Sequence, residues 1–292
     1  MKRIGNLYEK VCSIENLQLA DEKARKGKLR TYGVIEHDKK REVNLLKLRE
    51  TLLNGTFHTS KYDVFTIYEP KEREIYRLPY FPDRILHHAI MNALEPIWVS
   101  TFTADTYSCI KNRGIHAAAK KVKQALREDP EGTTFCLKLD IRKFYPSINH
   151  DVLKSILRRK LKDKRLLRLL DEIIDSADGV PIGNYLSQYF ANLYLTYFDH
   201  WIKEQKRVKH YFRYADDIVI LASDKSYLHS LMGEIRAYLG DLKLEVKGNW
   251  QVFPVAARGI DFVGYVFFHT HTRMRKGIKK TFCRRLAKLN KR

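Results

Sequence analysis

Asp140 closes an apolar run, FCLKLDI at 135–141, and Asp216 and Asp217 stand side by side within HYFRYADDIVILAS. An acid at a strand end can converge with acids in the turn of a hairpin of the same sheet, however far apart they lie in the chain. Three such oxygen donors suit hard divalent cations, because Mg²⁺ takes one or two carboxylates together with substrate phosphate oxygens. Two ions about 3.5–4 Å apart can activate an attacking hydroxyl and stabilise the oxygen of a leaving pyrophosphate. The same residues have an ordinary use, since Asp-Asp is a common turn dipeptide and a strand-end Asp a common cap, so each feature alone carries little.

The elements that would position these acids are legible from periodicity. FCLKLDI reads as a buried strand, and HYFRYADDIVILAS as two β-rich arms around a polar Asp-Asp turn. A helix is predicted from Asp83 to Glu95, with Ile85, Leu86, Ala89, Ile90, Ala93 and Leu94 at helical spacing, Asp83 as N-cap and Pro96 as stop. Two short helices follow, one after Asn149 and one through RLLRLLDEII, before the turn-forming Asp178-Gly179. A further helix is expected from about Gln188 to Lys203, and another from Ser226 to Leu239 ended by Gly240, with LKLEV and FVGYVFF strand-like. Residues 135 to 267 thus give the order of a split β-α-β sheet with helices on one face, an α+β arrangement whose other face is free for a ligand.

Charge points to the class of partner. The 292 residues carry 55 Lys+Arg against 34 Asp+Glu, a net +21, which is too basic for an ordinary metabolite enzyme. Residues 268–292 hold ten Lys/Arg and no acid, and KSILRRKLKDKRLLR at 154–168 is a second basic cluster. Such a surplus attracts a polyanion by counterion release, and interspersed aromatics can stack on bases. A single basic run is most often a solvated face, but two runs with this total favour nucleic acid. The 44% apolar content excludes intrinsic disorder. No apolar run approaches a membrane span, and MKRIGNLYEK has charges where a signal peptide needs an apolar stretch, so a soluble, cytoplasmic protein is expected. Cys12, Cys109, Cys136 and Cys283 form no C-x-x-C pair, which suggests neither a zinc knuckle nor a disulfide framework.

Joined with their flanks, these segments resemble a bacterial or phage reverse transcriptase. LKLDIRKFYPSI, PIGNYLSQ, FRYADDIVIL, LKLEV and GIDFVGY follow the order of palm motifs A to E, and EPKEREIYRLPYFPDRILHHAI with TYSCIKNRGIHAA looks like the fingers motifs. The resemblance implies a right-hand polymerase with fingers at 1–134 (including a palm helix near 83–95), a palm at 135–267 with a helical insertion near 149–178, and the basic start of a short thumb at 268–292. It makes Asp140, Asp216 and Asp217 the catalytic aspartates, with the Ile141 carbonyl a further metal contact and two Mg²⁺, or Mn²⁺ in their place, as cofactors. Tyr145 falls where an aromatic steric gate would exclude a ribose 2′-OH; from the residues alone it is equally a core side chain beside Phe144. Lys71 and Arg73 are candidates for clamping the dNTP triphosphate, with a solvated turn as the alternative. Gly183 would let backbone approach the nucleotide, with Gln188 nearby at a helix start. Lys247 is a candidate acid toward pyrophosphate, and Arg284, Arg285 and Lys288 are candidates for nucleic-acid contact.

Within that family PIGNYLSQ is informative. Many members have Gln before the motif B glycine, where this chain has Ile182. An Ile before G-x-x-x-S-Q resembles the enzymes of diversity-generating retroelements, as do ENLQLADEKARKGKLRTYG and WQVFPVAARGIDFVGY. The resemblance implies error-prone cDNA synthesis concentrated at template adenines (mutagenic retrohoming), an RNA template, an RNA or DNA primer, and a small helical accessory protein of the same element. Two departures stand out: Ile110, then Lys111, occupies a place where relatives often have Arg, and only about 25 residues follow Phe268 for a thumb. The rivals are a group II intron-like or defence-associated reverse transcriptase, and a polymerase-like nucleic-acid-binding module without activity.

Overall fold

The computed structural model describes residues 3–68 and 72–290. The chain divides into two compact units, Met1–Phe102 with Tyr145–Leu195, and Thr103–Phe144 with Thr196–Arg292. These boundaries cut across the segments 1–134 and 135–267 expected for fingers and palm.

The first unit is helical with one hairpin. Ser13 starts helix Ile14–Ala24 by accepting the Asn16 N–H, and Leu17, Ala20 and Ala24 turn inward against helix Ile85–Val99. The second of these helices buries the predicted stripe, but its ends differ from expectation. Asp83 lies ahead of it in a π turn, Tyr80–Arg84, where its carboxylate accepts the Ser60 N–H at 3.0 Å instead of capping. Pro96 sits inside the helix, which continues to Val99 because buried Trp98 anchors the last turn and only one N–H is forfeited. The two helices expected after Asn149 and through RLLRLLDEII are His150–Lys160 and Lys164–Asp175, capped by Asn149 and Asp163, which accept from Val152 and Leu166. The unit's hairpin pairs β1 (Asp63–Ile67) antiparallel with β2 (Arg73–Arg77).

The helix expected over 188–203 is broken. Helix Tyr185–Tyr194 stops at Leu195, and helix Thr196–His200 and a π turn, Trp201–Gln205, follow. The aromatic stripe serves two cores: Phe190 packs on Trp98 in the first unit, whereas Phe198 packs on Tyr211 and Tyr238 in the second.

The second unit is built on a five-stranded sheet ordered β3-β5-β6-β4-β7, from β3 (Thr106–Tyr107), β4 (Phe135–Asp140), β5 (His210–Tyr214), β6 (Asp217–Ala222) and β7 (Gln251–Pro254). β3 runs parallel to β5 and the other pairings are antiparallel. The pleat sends alternate side chains to opposite faces, so the register Lys138↔Val219 and Asp140↔Asp217 puts Cys136, Lys138 and Asp140 on one face with Asp217, Val219 and Leu221. Helix Ile115–Glu128 and the hairpin β8 (Ile260–Phe262) and β9 (Tyr265–Phe267) cover that face around Cys136, Phe212, Val219 and Leu221. Helices Thr196–His200 and Lys225–Asp241 pack on the opposite face, through Phe198 on Tyr211 and on Tyr238. β10 (Thr272–Met274) adds to β9, and helix Lys276–Leu289 follows.

Three sequence expectations change in this unit. LKLEV makes no strand: Val246 forms a single bridge with Ile141, flanked by Arg142 N–H on the Glu245 carbonyl (2.7 Å) and Lys247 N–H on the Asp140 carbonyl (2.9 Å). FVGYVFF is a hairpin, since Val263 (φ 44°) and Gly264 (φ 90°) both take the left-handed conformation of a tight turn. Gly240 lies inside helix Lys225–Asp241, and the chain leaves it through left-handed Lys243 (φ 59°).

A buried ion pair locks the central hairpin. Asp199 accepts from Arg213 Nε (2.7 Å) and Nη2 (2.5 Å), from Tyr211 Oη (2.5 Å) and from Thr106 Oγ1 (2.7 Å), and both charged side chains are fully buried. Burial disfavours the Arg213 charge, but Asp199 outweighs it and raises the guanidinium pKa. Removing one partner of a buried pair leaves an uncompensated charge, so Asp199→Ala should lower stability by about 3–5 kcal/mol. Urea unfolding of parent and variant measures it.

Candidate active site

The turn joining β5 to β6 is two residues long, because Tyr214 pairs directly with Asp217. Ala215 adopts a left-handed conformation (φ 55°), and its carbonyl accepts Arg213 Nη1 at 3.0 Å. The expected Asp-Asp turn is therefore an Ala215-Asp216 turn, with Asp217 already the first residue of β6. Asp140, the last residue of β4, stands opposite Asp217. Ile141 continues past it, donating its N–H to the Asp216 carbonyl at 3.3 Å. The structure thus brings Asp140, Ile141, Asp216 and Asp217 together at one edge of the sheet.

Asp216 has a raised pKa, first from burial and next from the charge of Asp140. Two ammonium groups already offset the other carboxylates: Lys247 pairs with Asp140, and Lys138 pairs with Asp217. Lys138 was not singled out from sequence, although its place two residues before Asp140 puts it on the same strand face. Its ammonium also lies over the Phe262 ring at 5.1 Å, and burial pulls its pKa down to about 8. Among the described residues no three His, Cys, Asp or Glu side chains already form a metal cage. The donor set nevertheless suits a hard divalent cation, since all its ligands are oxygens and cationic charge is already favoured at two of the three acids.

The candidate nucleotide residues lie in the first unit. The Ile182 carbonyl accepts the Tyr76 N–H at 2.8 Å, which docks β2 on the PIGN segment. Gly183 has φ 120°, and a Cβ there would stand 2.9 Å from the Tyr76 carbonyl oxygen and 3.1 Å from Ile75 Cγ2, so only glycine fits. Arg73 lies on the same face of the hairpin as Ile75 and is exposed; Lys71 lies outside the described residues. Gln188 is exposed within helix Tyr185–Tyr194, and Ser187 beside it is buried. Tyr145 is half-buried, and its carbonyl accepts the N–H groups of Ile148 (3.4 Å) and Val180 (2.9 Å). Ile110 is buried and Lys111 exposed, in the second unit.

Arg284, Arg285 and Lys288 are exposed on helix Lys276–Leu289, which among its described residues buries none. Ile278, Phe282 and Leu286 are exposed on the same helix. Among the described residues no helix is long and apolar enough to cross a membrane.

Comparison with known proteins places this geometry in a family. The profile described as "Reverse transcriptase (RNA-dependent DNA polymerase)" matches residues 69–267. Protein YkfC of Escherichia coli is 26% identical over 79% of this chain and 73% of its own length. The group II intron-encoded protein LtrA of Lactococcus lactis is 23% identical over 60% of this chain, and nuclear intron maturase 4 of Arabidopsis thaliana is 27% identical over 52%. This chain spans only 31% of LtrA and 20% of the maturase. In fold, apo telomerase from Candida tropicalis is similar with a TM-score of 0.54 and 12% identity, over 74% of this chain and 49% of that one.

The coupling of the acids can be measured. The folded-state pKa of Asp216 is raised, so its contribution favours the fold at low pH and is lost as pH rises through the folded-state value. Asp140→Asn removes the second cause of the shift and leaves the first. A ¹³C carboxyl titration of metal-free protein should show the Asp216 midpoint moving down toward, but not reaching, the ordinary value of about 3.9.

Proposed function

The chain belongs to the reverse transcriptase (RNA-dependent DNA polymerase) family, and on that footing we propose that it copies an RNA template into DNA at the cluster of Asp140, Asp216 and Asp217. The observation that carries this reading is the register pair Asp140↔Asp217 beside a turn that brings Asp216 within electrostatic range of Asp140. In the reaction, a primer 3′-OH attacks the α-phosphate of a dNTP, the new phosphodiester bond forms, and pyrophosphate departs. Mg²⁺, or Mn²⁺ in its place, would be held by the three carboxylates and the Ile141 carbonyl, and supplies charge neutralisation at the attacking and leaving oxygens.

This chain's own residues do the rest. Arg213 fixes the turn through the Ala215 carbonyl, so that Asp216 is presented without reorganisation. Lys247, paired with Asp140, stands where an ammonium can give a proton to departing pyrophosphate. In the fingers reading, Arg73 contacts the triphosphate, with Lys71 as its partner in the same hairpin. Ile182, Gly183 and Gln188 line the base side, and Tyr145 excludes the ribose 2′-OH. Arg284, Arg285 and Lys288 contact the RNA template or primer strand. Exposed Ile278, Phe282 and Leu286 beside them give a helical accessory protein an apolar face to cover.

In the finer reading, the enzyme is the error-prone one of a diversity-generating retroelement, supported by the apolar Ile182 before Gly183. An alkyl side chain supplies shape but no hydrogen bond to the nascent pair. A second reading is favoured by the intron-encoded and maturase relatives, namely a group II intron-like reverse transcriptase.

Two measurements test these readings. Primer extension on an RNA template with dNTPs and Mg²⁺ is expected from the parent and absent from Asp216→Asn, whose circular dichroism should match the parent's. Undiminished extension by that variant would refute the site. Ile182→Gln restores one hydrogen bond, worth about 0.5–1.5 kcal/mol, and should lower misincorporation opposite template adenine by a few-fold to about tenfold. Sequencing cDNA from both enzymes on one template reads the change, and equal adenine error rates in the two would refute the role of Ile182.

A further inference from the structure

The segment that carries Ile182 and Gly183 is backed by a feature with no part in the reading above. A cavity of about 10 Å³ lies inside the first unit, lined among others by Tyr62, His87, Pro181, Asn184 and Ser187. That volume admits a single water. Two side chains in its wall leave polar atoms without a partner at hydrogen-bond distance: His87 Nε2, on a residue 3% exposed, and Asn184 Nδ2, on one 7% exposed, whose amide has only the nearby Tyr62 hydroxyl to act on. Native interiors rarely leave such atoms without a partner.

A second observation concerns Asn184 itself. It occupies the N-cap position of helix Tyr185–Tyr194 with the extended backbone of a cap (φ −97°, ψ 145°), yet its side chain makes no cap hydrogen bond. Asn is favoured at this position because it caps, so a side chain withheld from that use serves another. The chemistry of the two unmatched atoms is complementary. Burial, with the neighbouring His88 and Arg84, pulls the His87 pKa down to about 3, so its imidazole is neutral and offers an acceptor nitrogen. Asn184 Nδ2 can only donate. One water accepts from the amide and meets the imidazole Nε2, donating to it in the tautomer that carries its proton on Nδ1, and the Tyr62 side chain, whose hydroxyl is bonded to Ser176 Oγ at 2.8 Å, lines the same cavity.

We propose that His87 and Asn184 hold a buried water that ties helix Ile85–Val99 to the Pro181–Asn184 turn and thereby positions Ile182 and Gly183 for the incoming nucleotide. The positioning role rests on the nucleotide-site reading given above, whereas the water site stands apart from it. His87 and Asn184 are positioning residues, acting through the water on a turn that the Tyr76 N–H already holds from its other side.

The test combines a crystal structure of the full chain, at a resolution that shows ordered water, with a double-mutant cycle of His87→Leu and Asn184→Leu. The expected result is a density peak within hydrogen-bond reach of both side chains. Each single variant should unfold at lower urea, and the double variant should lose no more than the worse single one, because both act through one water. In extension assays the dNTP KM should rise a few-fold to about tenfold with kcat nearly constant, and His87→Gln, which keeps an acceptor, should recover most of it. An empty cavity, or strictly additive losses, would overturn the water site. A filled cavity with unchanged dNTP KM in folded variants would overturn the positioning role. A parent without any extension activity would refute the nucleotide-site reading instead, and the density and the unfolding cycle would still decide the water.

Discussion

The Asp199 carboxylate, sealed under the central sheet of the second unit, is the constraint on which the acid cluster depends. Four donors from three residues on two strands converge on it, and the Arg213 guanidinium, which supplies two of them, reaches on to the Ala215 carbonyl. A left-handed alanine is an uncommon backbone state, and that extra hydrogen bond helps to hold it. Two charges taken out of water are a poor source of net stability. What they give here is geometry, because the turn that carries Asp216 cannot relax without forfeiting a hydrogen bond from a guanidinium that Asp199 holds in place.

On this frame the sheet face becomes a site through alternation alone. Period two along β4 lines up Cys136, Lys138 and Asp140, and antiparallel pairing sets Asp217 opposite Asp140. Packing covers the apolar part of the face with helix Ile115–Glu128 and the β8–β9 hairpin, and the acids keep partial access to solvent. Carboxylates gathered this closely repel one another, and the charge of Asp140 adds to burial, the larger cause, in raising the Asp216 pKa. Lys138 and Lys247 relieve that repulsion at Asp217 and Asp140.

The nucleotide-side residues obey a different constraint, that of close backbone approach. β2 reaches the Ile182 carbonyl with a main-chain N–H, and it does so only because Gly183 lacks a side chain. Ile182 and Arg73 are therefore held by neighbouring parts of one hairpin contact, where any larger residue at 183 would force the strand away.

Sequence alone determined the elements whose patterns are local: the β4 strand, the hairpin through Asp216 and Asp217, the helices after Asn149 and through RLLRLLDEII, and the buried stripe from Ile85 to Leu94. It also gave the identity and order of the acids, since their flanking motifs are contiguous. What it left to the tertiary structure were features set by partners distant in the chain. Pro96 is tolerated because Trp98 is buried, the aromatic helix breaks at Leu195 because its two halves enter different cores, and LKLEV is reduced to one bridge because β4 pairs with Gln251–Pro254 instead. Lys138 was within reach of strand periodicity, but the pairing of Asp199 with Arg213 and the meeting of His87 and Asn184 in one cavity wall were not. A buried polar group takes its partner from whatever the fold brings beside it, and spacing along the chain carries no record of that neighbour.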